Sequence, residues 1–204
     1  MDEQVVDMSA FRRVLGQFAT GVTVITIQQG DSIHGMTANS FTSVSMDPPL
    51  VLFCVAKTTR MARLIEDASG FAINVLAASQ ETVSRQFAGS KKEEAARSIT
   101  LGKGPVAPLI EGSLGVLSCR TDAIHDGGDH WIVVGRVIAL HEPDDDAGGA
   151  PLVFFRSRYH DLVTRTVAIV PTIETWANDA IRMYHDEWSV GEDDATEQTH
   201  TLPW

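Results

Sequence analysis

From Val22 to Val55 the chain is written in short runs of β-branched and apolar residues punctuated by turn chemistry. VTVITI, IHGMTA, FTSVS and LVLFCV follow one another, with Gly30-Asp31 and Asp47-Pro48-Pro49 among the breaks between them. Runs this short and this rich in Val, Ile, Thr and Phe build strands, and Gly-Asp or Asp-Pro-Pro builds tight turns. A strand that follows its neighbour through a tight turn lies antiparallel to it, because a parallel neighbour needs a long crossover. This pattern excludes a βαβ alternation and favours an antiparallel sheet closed into a barrel.

The rest of the chain fits a mainly β protein with a few flanking helices. Ser9 is placed to cap a first helix with Phe11, Val14, Leu15 and Phe18 on one face, and Gly21 to end it. Thr59–Asp67 reads as a short helix, Phe71–Leu76 as a strand and Ser79–Phe87 as a second capped helix. A charged, irregular stretch runs from Gly89 to Pro108. Two long strands follow, Ser113–Ile124 and Trp131–His141, joined by His125–Asp129; Asp144–Gly149 reads as an acidic loop and Leu152–Arg156 as a last core strand. Residues 1–165 are expected to form one domain. Residues 166–204 are expected to be an acidic extension, with a helix over Thr172–Trp188 placing Trp176, Ala180, Met183 and Tyr184 on one face.

Composition narrows the function. At 204 residues the chain suits one domain with a sizeable core. A net charge of −11 repels phosphate backbones and anionic membranes, so neither nucleic acid nor membrane is an expected partner. No apolar run is long enough to span a bilayer, and MDEQVVDMSAF lacks the basic start and apolar stretch of a signal peptide. Cys54 and Cys119 sit in apolar runs without a metal-binding spacing, as free thiols do in a reducing cytoplasm, the expected location.

Three segments carry possible chemistry. Gly35–Ser45 packs small hydroxyl and amide residues where a hairpin strand meets the next turn, so a flat, polar-edged ring could lie against its main chain; a plain Ser/Thr-rich strand edge reads the same way. Val55-Ala56-Lys57-Thr58-Thr59-Arg60 follows a buried strand and opens a helix, as a phosphate cradle or simply a capped helix with solvated cations. Gly127-Gly128-Asp129-His130 enters a strand. His125, Asp129 and His130 are too few and too divergent to suit a metal, whereas His130 suits a donor beside a small-molecule ring. There is no G-x-S-x-G elbow, P-loop or H-E-x-x-H, and Gly102-x-Gly104 runs into Pro105, so no dinucleotide fingerprint is present.

In order along the chain, FRRVLGQFATGVTVIT, HGMTANSFTSVSMDPPL, FAINVLA with SRQFAG, LIEGSLGVLSCR and GDHWIVVGRV resemble the flavin reductase domain family. The resemblance covers Phe11–Leu162, and its most specific run is GMTANSFTSVSxDPP. It implies an antiparallel Greek-key split β-barrel that binds FMN or FAD and takes hydride from NADH or NADPH. Thr37, Ala38, Asn39 and Ser40 would contact the flavin ring and ribityl chain; Val55, Ala56, Lys57, Thr58, Thr59 and Arg60 would surround its phosphate. Arg85 would assist near the phosphate or at a dimer contact, His130 would help seat the nicotinamide, and Phe155, Arg156, Arg158 and Tyr159 would line the same mouth. A homodimer passing diffusible reduced flavin to a monooxygenase component is also implied. The chain departs from the family's late Tyr-x-x-Gly-x-Tyr, reading Phe154-Phe155-Arg156-Ser157-Arg158-Tyr159, and carries Thr59 and Met61 where Ser and Thr are common. Two other readings stay open: a flavoenzyme that keeps FMN and acts on an organic substrate, and a non-catalytic flavin- or haem-binding module.

Overall fold

The computed structural model describes residues 6–89, 99–142 and 149–162. The chain divides into two units, Met1–Val163 and Thr164–Trp204, and the described residues all belong to the first. The expected helix at Thr172–Trp188, the rest of the extension 166–204 and the acidic loop over 144–148 lie outside the described residues.

The elements run α1 (Met8–Leu15), β1 (Thr20–Gly21), β2 (Thr23–Gln29), β3 (Ser32–Ala38), β4 (Thr42–Met46), β5 (Pro49–Ala56) and α2 (Arg60–Leu64). After them come β6 (Phe71–Val75), a single tight turn at Ala78–Gln80, α3 (Glu81–Ala88), β7 (Leu101–Gly102) and β8 (Leu109–Ile110). The chain then forms β9 (Gly115–Gly127), β10 (His130–His141), β11 (Val153–Phe155) and β12 (Arg158–His160). Seven strands make one antiparallel sheet in the order β3-β2-β6-β9-β10-β5-β4. Strands β5 and β6 are consecutive in the chain, yet the β9–β10 hairpin lies between them in the sheet. That return past a hairpin is the Greek-key step. The mainly β, antiparallel expectation holds.

Alternation along β5 buries Val51, Phe53 and Val55 and leaves the residues between them half-buried. Those three join Ile25, Ile27, Phe71, Ile73 and Val133 in the main core, where Phe53 and Phe71 meet edge to face at 5.2 Å. β2 is buried on both faces: Val24 turns away from that core to pack with Val22, Leu76, Ile110 and Leu152. Asn74 ties the two sides together. Its Nδ2 donates to Val24 O at 2.9 Å, and its Oδ1 accepts from Ile110 N at 2.8 Å.

Several element ends differ from expectation for local reasons. Asp7, not Ser9, caps α1, because its carboxylate accepts from both Ser9 N and Ala10 N. The helix stops at Leu15 with Gly16 as its cap, and Gly21 belongs to β1. Ser79 does not cap α3: the residues before that helix form their own turn, held by Gln80 Oε1 accepting from Ala77 N. The stretch expected to be irregular contains β7, which pairs with β8 just past its end. The β9–β10 connection shrinks to Gly128-Asp129, with Gly128 at φ 79, the geometry of a two-residue hairpin turn that places glycine first.

Candidate functional site

The sheet curls but does not close by a ladder. β4 covers β5 only as far as the pair Thr42↔Leu52, so the outer side of β5 from Phe53 to Ala56 is left without a strand. β3 is the outermost strand at the other end of the sheet. These two uncovered edges, with the start of α2 and the end of α3, enclose a cavity of about 670 Å³. A volume of that size lies within the range of small-molecule sites.

Each wall has a traceable cause. Ala38 is tied to β2 where Thr23 Oγ1 donates to its carbonyl at 2.8 Å, and Thr37 Oγ1 donates to Ser84 O of α3 at 2.6 Å. Ser40 spans the seam: its Oγ accepts from Cys54 N at 3.0 Å and donates to Cys54 O at 3.3 Å. A single hydroxyl thus stands in for the missing ladder partner of β5. At the far side Thr59 caps α2, its Oγ1 accepting from Ala62 N at 3.2 Å and donating to Ala56 O at 2.8 Å. Gly35 leaves room on β3 for the Phe87 ring, since a Cβ there would sit 2.6 Å from Phe87 Cε1.

His130 enters the cavity because the β10–β5 register sets it opposite Ala56. Its Nδ1 lies 2.7 Å from Asp129 Oδ1, so the two neighbours converge instead of pointing apart, Asp129 being in the turn and not in the strand. The hydrogen bond from His130 holds the Asp129 carboxyl below its ordinary value. An ionised carboxylate only accepts, so Nδ1 carries the proton and Nε2 is left for a ligand.

Of the residues singled out in the sequence, Thr37, Ala38, Asn39, Ser40, Val55, Ala56, Thr59, Arg60 and His130 all border this one cavity. Thr58 is exposed beside it. The Lys57 ammonium turns to the β9–β10 hairpin, paired with Asp126 and 4.2 Å from the Trp131 ring centre. That contact lowers the pKa of Asp126. Arg85 pairs with Glu81 at 2.6 Å and lies over Tyr159, whose hydroxyl is 2.8 Å from Ser84 Oγ. Arg156 borders a separate hollow of about 250 Å³ with Arg12, Leu15, Phe18 and Asn39; its guanidinium donates twice to Gln17 Oε1. Phe155 stacks against the Arg156 guanidinium, and Arg158 is exposed on β12. Asn39 borders both spaces, so they adjoin.

Sequence reasoning missed His34, Cys54, Phe87 and Ile99, which also border the larger cavity. The FAG that follows Gln86 was an available signal, since it was already part of the run SRQFAG. His34 opens the run HGMTANSFTSVSMDPPL, but its contact with Arg60 was not legible, because the two meet only when β3 and α2 come together.

The open seam is walled with small residues and rimmed by His34, Arg60 and His130, a shape and donor set suited to a flat ring carrying an anionic tail. Residues 15–163 match the model of the flavin reductase like domain, and the chain belongs to that family. The chain is 40% identical over 157 residues to the HsaB reductase subunit of a flavin-dependent monooxygenase from Rhodococcus jostii, a match covering 76% of this chain and 78% of that protein. It is 42% identical over 154 residues to the reductase component of 4-hydroxyphenylacetate 3-monooxygenase from Thermus thermophilus, covering 76% of this chain and 96% of that one. Among solved structures, the NADH:FAD oxidoreductase SgcE6 of Streptomyces globisporus superposes with a TM-score of 0.72 at 36% identity, covering 80% of this chain and 99% of that chain. Flavin reductase PheA2 superposes with a TM-score of 0.72 at 34% identity, covering 78% and 100%.

Proposed function

We propose that this chain is an NADH-dependent flavin reductase that supplies reduced flavin to a partner monooxygenase. The observation that carries the reading is the open seam between β3 and β5, lined by Thr37–Ser40 on one edge and by Ala56 and His130 on the other. Small side chains there let a ring system approach the backbone closely, and the polar groups around it suit a ring with hydrogen-bonding edges. FMN and FAD share that ring, and either fits the reading. When bound, a flavin accepts at N5 the hydride that leaves C4 of the nicotinamide.

The protein's part is alignment and charge. Thr37 and Ser40 are held by Ser84 and Cys54, so the wall is set before any ligand arrives. Backbone N–H groups of Ala38–Ser40 steady negative charge developing on the ring. His130, oriented by Asp129, seats the nicotinamide beside the flavin. Hydride transfer to a flavin asks the protein for no nucleophile–base pair. NADH is favoured over NADPH because relatives sharing 43% and 44% identity are an NADH-dependent flavin reductase and an NADH-dependent FAD reductase.

A homodimer is supported by α1, where Phe11, Val14 and Leu15 are exposed in one helix and Phe18 follows at 77% exposure. Two free cysteines and an NADH-linked reaction suit the cytoplasm, and no helix among the described residues is long and apolar enough to cross a membrane. Steady-state oxidation of NADH tests the whole reading: turnover should rise and saturate with added FMN or FAD. NADH consumption that ignores free flavin but follows a small organic acceptor would overturn it in favour of a retained flavin. A protein that binds flavin and oxidises no NADH would leave only a binding module.

A further inference from the structure

We propose that Lys57 is a positioning residue for the nicotinamide step: it pins the β9–β10 turn to the end of β5, and the pinned turn aims His130. This rests on reading His130 as the seat of the nicotinamide. In the sequence Lys57 belongs to a cationic segment that reads as a phosphate cradle or a solvated helix start. In the fold it is neither. Among the described residues the cavity lining passes from Ala56 to Thr59 without Lys57. Lys57 faces the hairpin instead, at three points. Its N–H donates to Asp129 O at 3.0 Å, its ammonium pairs with Asp126, and the same ammonium lies 4.2 Å from the Trp131 ring centre. Trp131 packs against the main core, so one of these anchors belongs to the body of the fold.

The turn needs such anchors. Gly127 and Gly128 stand side by side in it, Gly128 at φ 79, and adjacent glycines leave a backbone many directions to choose from. Asp126 fixes the first half of the turn: its Oδ1 accepts from Gly128 N at 3.0 Å while its Oδ2 meets the Lys57 ammonium. Lys57 N fixes the second half at Asp129 O. The Asp129 side chain is itself 93% exposed, so its direction is inherited from that backbone. It then orients the imidazole, with His130 Nδ1 2.7 Å from Asp129 Oδ1 and Nε2 left for the nicotinamide. Consecutive contacts thus lead from the ammonium through Asp126 and the turn to Asp129 and His130.

The test follows steady-state NADH oxidation by the full chain at saturating FMN, with dissociation constants of FMN and riboflavin read beside it by fluorescence quenching. Lys57→Met keeps the stem and removes the charge. It should raise KM for NADH about three- to tenfold, the range of a partly exposed ion pair with a cation–π contact, and change kcat by less than about twofold. Asp126→Asn should also raise KM, although it leaves the cation in place. A lysine that touched the ligand would be freed by that change and would lower KM, so the sign separates the two roles. In a His130→Ala background Lys57→Met should add less than about twofold, since the group it aims is gone. Lys57→Arg keeps the charge and a plane to stack on Trp131, and should recover most of the loss. Arg136→Gln breaks an ion pair with Asp122 further along the same two strands and should leave KM as in the wild type.

KM within about twofold of wild type in both Lys57→Met and Asp126→Asn overturns the proposal and leaves the nicotinamide reading standing. So does an equal rise in Arg136→Gln, or an undiminished effect of Lys57→Met without His130. A riboflavin-to-FMN ratio of dissociation constants that falls in Lys57→Met while KM holds would make Lys57 a phosphate contact instead. Should Lys57→Met fail to fold, Asp126→Asn, at an exposed carboxylate, carries the same prediction. His130→Ala with KM as in the wild type, or wild-type protein that oxidises no NADH with either flavin, overturns the reading on which the proposal rests.

Discussion

Replacing Ser40 by Ala removes one oxygen and leaves two backbone groups without partners, because the Ser40 hydroxyl both accepts from Cys54 N and donates to Cys54 O. Strand β10 serves the other side of β5, and β4 ends its pairing at Leu52, so no neighbouring strand takes over. An orphaned buried polar group costs about 1–3 kcal/mol. Cys54 is half-buried and water can reach part of it, which places the two groups together at about 1–2 kcal/mol. For a chain of this size that lowers the melting temperature by about 3–6 °C. Ser40→Thr keeps the hydroxyl and should recover most of the loss. Calorimetry on the three proteins, with FMN titrations beside it, checks the account. A melting temperature within about 1 °C of wild type in Ser40→Ala would show that the seam does not depend on this hydroxyl. Loss in Ser40→Thr equal to that in Ser40→Ala would show that shape, not hydrogen bonding, sets the effect.

Gly35→Ala should push the Phe87 ring, whose Cε1 and Cδ1 would lie 2.6 and 2.7 Å from the new Cβ, and so weaken FMN binding; adding Phe87→Leu should restore part of the affinity in the same titration. Ser157→Gly should stabilise the fold by about 0.5–1 kcal/mol, read by denaturant midpoint, because Ser157 holds φ 61 in the β11–β12 turn and glycine occupies that region without the side-chain penalty. His130→Ala should raise the Michaelis constant for NADH more than it lowers kcat, whereas an effect confined to kcat would move His130 from seating the nicotinamide to the chemical step.

How much of this could be read from the chain depends on the range of the interactions involved. The strand succession from Val22 to Val55 and the run Gly35–Ser45 were legible because alternation, turn residues and small side chains are local properties. Thr59 was legible as the start of α2 for the same reason, its hydroxyl reaching only to Ala62. The β11–β12 hairpin was hidden because Arg156 and Ser157 fill a turn that usually advertises itself with Gly or Asn. Asp7 takes the cap in place of Ser9 because its carboxylate presents one oxygen to Ser9 N and the other to Ala10 N, a geometry the residue type alone does not reveal.

The destination of long cationic side chains was the least legible feature, because three rotatable bonds or more separate the charge from the backbone that sequence patterns describe. Lys57 and Arg60 stand three positions apart in one segment and read alike in the sequence. The fold separates them. Lys57 follows the β5–β10 pairing, its N donating to Asp129 O at 3.0 Å, and its ammonium is drawn to Asp126 on the hairpin. Arg60, one residue past the Thr59 cap, faces His34 across the cavity. Which of two nearby cations borders the cavity is therefore decided by the hairpin that claims the other one, and that hairpin lies far downstream in the chain. Freeing Lys57 from Asp126 would release a second cation next to Ala56, which borders the cavity, so the cationic character of that rim depends on a carboxylate that borders no part of the cavity.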